Sequence, residues 1–258
     1  MIPTHSKWRT CIAVMLSALL LFTPAMTGFS VAKVLDSANS LSYNEVNGPE
    51  LDTLTQKAIS DNGVQQLVKH LSGGKANLVG KRAFRARFND QEGSISLLNY
   101  KGKEDFLILY GESGGKVKVG AGVFKSTDHK TQIEAYDFID GKIYHSSTIT
   151  VTKDSNGRPS KPSVEWHSSP LNPPNPGKTV NVPPVSILAS DSCTTCLKVC
   201  NYIYGVGCSV TGALVCLAAC APIANFLCPA ICAVVWWYLC TQGVKGCTTV
   251  CRIAGYCR

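Results

Sequence analysis

Phe84-Arg85-Ala86-Arg87-Phe88 alternates apolar and basic side chains. A period of two places the phenylalanines and Ala86 on one face of a pleated strand and the arginines on the other. Comparable runs follow at 95–100, 104–110, 116–124, 131–139 and 142–152. Turn-forming residues separate them: Asp90 to Gly93, Lys101-Gly102, Gly111 to Gly115, Ser126-Thr127-Asp128 and Asp140-Gly141. Asp-Gly is the strongest of these signals, because a two-residue hairpin turn of the favoured hand needs positive φ at both central residues. Short strands joined by short turns predict an antiparallel meander.

Upstream of the strands the period changes. Pro49-Glu50-Leu51 opens a helical pattern that gathers Leu51, Leu54, Ala58 and Ile59 on one side. After Asp61-Asn62-Gly63, a second run gathers Val64, Leu67, Val68 and Leu71. Residues 33–154 are therefore expected to form an α+β domain, an N-terminal helical segment plus a β-meander, with one or two helices covering one face of the sheet.

This domain offers little chemistry. His70, His129, His145 and His167 show no metal-ligand spacing. Gly111-Glu112-Ser113-Gly114-Gly115 lacks the helix and lysine of a phosphate loop, and Ser113 reads as a turn residue rather than a nucleophile. Arg82, Arg85 and Arg87 read as a solvated strand face rather than an anion site. We expect no enzyme, no catalytic residue, no metal and no cofactor. The net charge of +8 is not gathered into a basic stripe, so nucleic acid is not an expected partner.

Residues 155–192 hold eight of the 13 prolines: Pro159, Pro162, Pro170, Pro173, Pro174, Pro176, Pro183 and Pro184. Such a stretch is expected to be an extended linker, without helix or central strand and open to proteases, with Trp166 docking on the sheet.

Residues 193–258 differ from everything before them. They contain twelve of the 13 cysteines, no acidic residue, no histidine, and only Lys198, Lys245, Arg252 and Arg258 as cations. The cysteines are Cys193, Cys196, Cys200, Cys208, Cys216, Cys220, Cys228, Cys232, Cys240, Cys247, Cys251 and Cys257. Gaps of three and four recur, which places pairs on single helix faces. Four short helices are expected near 193–203, 208–221, 228–241 and 245–254, forming a disulfide-rich all-α module. A chain this short is marginal without covalent staples. Zinc is disfavoured because Cys193-x-x-Cys196 has no second half-site and no histidine. A redox role for that pair lacks its βαβ context. A transmembrane hairpin is disfavoured because the apolar stretches 206–221 and 226–241 fall short of the roughly 20 residues a span requires.

Residues 1–32 read as a signal peptide. Lys7 and Arg9 precede a 12-residue apolar core from Cys11 to Phe22, and Ser30 and Ala32 suit cleavage between Ala32 and Lys33. Its removal takes away the odd cysteine. An even number then remains in a secreted chain, where disulfides persist.

Two motifs in the last quarter of the chain resemble a known family. Gly207-Cys208-Ser209-x-x-Gly212-x-x-x-Cys216 and Cys251-x-x-Ala254-Gly255-x-Cys257, with Cys193-x-x-Cys196 at the start, are similar to the halocin C8 family of microhalocins and their bacterial relatives. The resemblance implies a bacteriocin precursor: an export signal, an N-terminal immunity region, and a C-terminal Cys-rich antimicrobial peptide released by a processing protease. The expected release site lies in 186–192, at Ala189-Ser190. Four cations without anions would draw the module to anionic lipid, and indoles and phenols favour the interface. Trp236, Trp237, Tyr238, Lys245 and Arg252 are therefore the candidates for contact with a target-cell membrane or a membrane protein in it. The module's other expected partner is its own N-terminal domain, through the pleated face with Phe84, Phe88, Ile95 and Leu97 or through the charged strand rims. The alternative from another class is a secreted saposin-style lipid- or protein-binding module without killing activity.

Overall fold

The computed structural model describes residues 41–88, 91–127, 129–152, 163–171, 177, 179–181, 193, 194, 197, 200, 201, 209–220, 232, 236 and 246–253. The expected signal peptide and its cleavage point, and the release site at Ala189-Ser190, lie outside the described residues.

Among the described residues, nine antiparallel strands form one sheet in strict chain order. They are β1 (Leu41–Val46), β2 (Asn77–Phe88), β3 (Gln91–Lys101), β4 (Asp105–Ser113), β5 (Lys116–Ser126), β6 (Lys130–Ile139), β7 (Lys142–Thr152), β8 (Ser163–Trp166) and β9 (Thr179–Asn181). Between β1 and β2 come α1 (Gly48–Ser60) and α2 (Asn62–Ser72). Two C-terminal helices are described, α3 (Val210–Cys220) and α4 (Cys247–Ile253).

The meander follows the alternation, but two turns are shorter than expected: residues 91–93 belong to β3, and residues 111–113, including Ser113, belong to β4. Asp140 and Gly141 have φ of 49° and 78°, as a tight hairpin turn requires, and they join β6 directly to β7. An alanine at Gly141 must adopt a left-handed backbone, which costs about 1 kcal/mol. Gly141→Ala should lower the urea midpoint accordingly, and an unchanged midpoint would show that the turn does not set this register.

The helices form where their apolar faces meet the sheet. Pro49 lies in the first turn of α1, where its missing N–H loses no helical bond. Asp61 separates the helices and caps α2, its carboxylate accepting from the amides of Gly63 (2.8 Å) and Val64 (3.3 Å). Gly73 ends α2 in the left-handed conformation. Ala58, Val64 and Leu67 pack on Leu98, Tyr100, Phe106, Ile108 and Tyr110. Leu54 packs beside Val46 and Ala83.

Several expectations change. One covered face was expected, but both faces are buried. All six residues from Phe106 to Gly111 of β4 are buried, as in a strand packed on both sides. The side chains opposite α1 and α2 include Phe84, Ile95, Leu97, Leu109 and Ile149, each at most 1% exposed. The stretch 155–192 was expected to hold no helix or central strand, yet β8 lies between β7 and β9 and pairs with both. Both strands fall in proline-free windows at the sheet margin, where an interrupted ladder is tolerated. Trp166 docks as expected, 4% exposed and opposite Ser147.

The arginines of the opening motif are all paired. Arg85 meets Glu50 at 2.7 Å and Arg87 meets Glu92. Arg82 was expected on a solvated face, but it is 8% exposed. Its Nε and Nη2 reach the two Glu45 carboxylate oxygens at 2.7 and 2.8 Å, and its guanidinium lies over the Phe84 ring. A fork-shaped pair of this kind lets a charge be buried at low cost.

Candidate functional site

The site is built on β5, β6 and β7, on the face opposite α1 and α2, where α3 is seated. The sequence of α3 is Val-Thr-Gly-Ala-Leu-Val-Cys-Leu-Ala-Ala-Cys, apolar on every side. A helix of that composition belongs in an interior. Accordingly, Val210, Thr211, Ala213, Leu214 and Val215 are fully buried.

Two glycines on successive same-face positions of β5 receive the helix. A Cβ at Gly120 would lie 2.5 Å from the Val210 Cβ, and a Cβ at Gly122 would lie 2.6 Å from a Leu214 methyl. A side chain at Gly120 would push the helix off at the Val210 Cβ, whereas one at Gly122 would first displace the Leu214 methyls. Opposite these glycines, in register, stand Asp137 and Ala135 of β6, and Ala135 faces Ser147 of β7.

Polar contacts fix the helix N-terminus. Ser209 caps it, its hydroxyl accepting from the Thr211 amide at 3.2 Å. The Val210 amide donates to Asp137 Oδ1 at 2.8 Å. The hydroxyls of Thr211 and Ser147 lie 2.7 Å apart. A carboxylate on the first free N–H groups of a helix satisfies them and meets the positive end of the helix dipole.

That carboxylate is held under tension. Asp137 is 3% exposed, and its second oxygen makes no hydrogen bond. Burial pushes its carboxyl up to about 6, against the opposing pull of the Val210 amide, the Ser146 hydroxyl and the Lys118 charge.

The sequence candidates distribute around this contact. Ser209 and Gly212 of the halocin C8-like motif are buried, at the cap and inside α3. Gly207, Cys208, Ala254 and Gly255 lie outside the described residues, as do Trp237, Tyr238, Lys245, Cys196, Cys228, Cys240 and Cys257. Cys216 and Cys220 lie in α3, with side chains that are not described. Trp236 is 2% exposed, and its indole donates to the Ser209 carbonyl at 3.2 Å, so in the intact chain it is covered. Arg252 is exposed on α4. Cys200 and Cys247 form a disulfide, and Cys193, Cys232 and Cys251 are also disulfide-bonded.

A second cluster brings together histidines that looked scattered. On the α2 side of the sheet, His70 meets the edge of Tyr136, which stacks on His145 at 4.9 Å. His145 lies 4.3 Å from His167, whose Nε2 is 2.9 Å from the Thr148 hydroxyl. Burial, then His167, pushes the His145 imidazole below its ordinary value. Burial pushes the Tyr136 phenol up to about 12, assisted by Glu134, which accepts its hydrogen bond at 3.0 Å. Among the described residues no three His, Cys, Asp or Glu side chains are grouped to hold a metal ion. No described helix is long and apolar enough to cross a membrane.

Sequence reading missed the seating of α3. Its signal was present in Gly120-Ala121-Gly122: alternate glycines inside an apolar strand mark a close approach by another segment. Comparison of the chain with family models, curated proteins and solved structures gives no match.

Proposed function

We propose that the chain is the precursor of a secreted, disulfide-stapled antimicrobial peptide. Residues 193–258 are the active part, a small all-α module that a protease releases from the proline-rich stretch before it and that acts at target-cell membranes. The N-terminal domain masks the module and protects the producer. Two features support the assignment from sequence: twelve cysteines in an acid-free segment, and the halocin C8-like motif within it.

The observation that carries the reading is the burial of α3 against β5–β7. The helix that holds Gly212 and Cys216 of the motif is apolar all round, and its first turns are shielded by the N-terminal domain. Trp236, a candidate for lipid contact, is covered in the same arrangement. A module built to meet lipid has to be kept from it inside the producing cell, and this packing supplies a cover.

The test is the intact mass of the material in culture fluid, together with its effect on lawns of related bacteria. We expect a fragment beginning near Ser190, lighter by twelve hydrogens for six bridges, that clears the lawn. An active fluid holding only a species that begins near Lys33 would refute the release. A fragment that extracts lipid without clearing would identify a lipid-binding module instead.

A further inference from the structure

We infer that Gly120, Gly122, Asp137 and Ser147 form a receptor for a single helix, residues 209–215, which keeps hold of it after the backbone between residues 182 and 192 is cut. The biological use of this receptor rests on the precursor reading above; its existence does not.

Helix and strand repeats match. Val210 and Leu214 are four residues apart on a helix, a rise of about 6.0 Å. Gly120 and Gly122 are two apart on a strand, a rise of about 6.6 Å. The two helix side chains therefore fall on the two strand positions that lack a side chain. The helix runs along β5 in the same direction, with each apolar knob over a gap. A chance packing of an apolar helix on an apolar sheet would not place glycine under both contacts.

Polar contacts supply an end stop. Asp137 and Ser147 sit on β6 and β7, beside the glycine track, and engage Val210 and Thr211, the first two residues of the helix. These contacts fix where the helix begins along the track. A helix shifted by one turn would leave the buried Asp137 carboxylate without its amide donor, a loss comparable to breaking a charge-assisted hydrogen bond. Shape and polar contacts thus specify the same register.

Every one of these contacts is non-covalent and made by side chains or amides within 209–215 and β5–β7. None depends on continuity of the chain from residue 182 to 192. Cutting there removes the tether and leaves the whole contact set.

The test uses the full chain with a specific protease sequence placed between Val182 and Ser192, cut under native conditions and followed by size exclusion at two dilutions. The wild-type fragments should elute together. Gly122→Ala should shorten the lifetime of the cut complex at least tenfold, because its methyl enters the space of the Leu214 side chain. The double variant Gly122→Ala/Leu214→Ala should recover much of that lifetime, although Leu214→Ala alone should weaken the complex by leaving a void. Separation of the wild-type fragments on cutting overturns the inference, and so does a Gly122→Ala effect that is the same with leucine or alanine at 214. If the Gly122→Ala chain does not fold, recovery of folded protein in the double variant supports the contact, and failure of both variants overturns it. Fragments that stay together around a module with no killing activity would leave the receptor standing and remove the antimicrobial reading. Fragments that part to give a killing module would do the reverse.

Discussion

Asp137→Asn should remove a pH dependence of roughly 3 kcal/mol from the stability of the chain. The Asp137 carboxyl titrates at about 6 in the folded protein, against an ordinary value of 3.8. A difference of that size corresponds to roughly 3 kcal/mol. The sign follows from the raised value: the folded state holds the proton more tightly than the unfolded chain. The contribution is complete below about pH 3.8, declines as the pH rises toward 6, and is absent above it. Wild type should therefore lose stability relative to the asparagine variant across that interval. Asparagine keeps an oxygen for the Val210 amide and never ionises. Urea midpoints of both chains at pH 3.5, 5 and 7 give the measurement, and parallel curves would show that Asp137 is not buried as described. The seat of α3 is thus firmer in acid than at neutral pH.

Removing the Cys200–Cys247 bridge should have the larger effect. The two cysteines are 47 residues apart, and α3 lies within the loop they close. A cross-link of that span restricts the unfolded chain by about 4 kcal/mol. Both positions are nearly inaccessible, Cys200 fully so, and the bonded sulfurs should not react with an alkylating reagent until the chain is unfolded and the bond reduced. Cys200→Ala with Cys247→Ala should lower the melting temperature by several degrees and open residues 193–258 to proteolysis, while the spectroscopic signature of the sheet persists. Equal melting of the variant and wild type would mean that this pair does not constrain the module.

Local pattern made the sheet legible. Strands β2 to β7 follow from alternation, and each is bounded by a turn with its own chemistry, of which Asp140-Gly141 is the clearest. The two helices follow from the 3.6-residue pattern around Leu54 and Leu67. What stayed hidden depends on partners distant in sequence. Arg82 looks like its neighbours Arg85 and Arg87, and only Glu45 on β1, 37 residues earlier, makes its burial tolerable. Strand β8 was obscured by surrounding prolines, although Val164 and Trp166 carry the right alternation. His70, His145 and His167 have no common spacing because three different parts of the chain bring them to one rim of the sheet. Asp137 gave no sign of its role, since the amide it caps lies 73 residues downstream.

The strand order carries a consequence for the time course of folding. Each strand is hydrogen-bonded to its immediate predecessor in the chain, so the part from β2 to β7 can be laid down hairpin by hairpin, each closure spanning a short loop. Strands β5, β6 and β7 are complete at Thr152, and α3 begins at Val210. A ribosome or an export channel delivers the chain from its N-terminus, and so it delivers the glycine track before the helix that fills it. The helix that is apolar on every side thus emerges into the presence of a finished surface of matching shape.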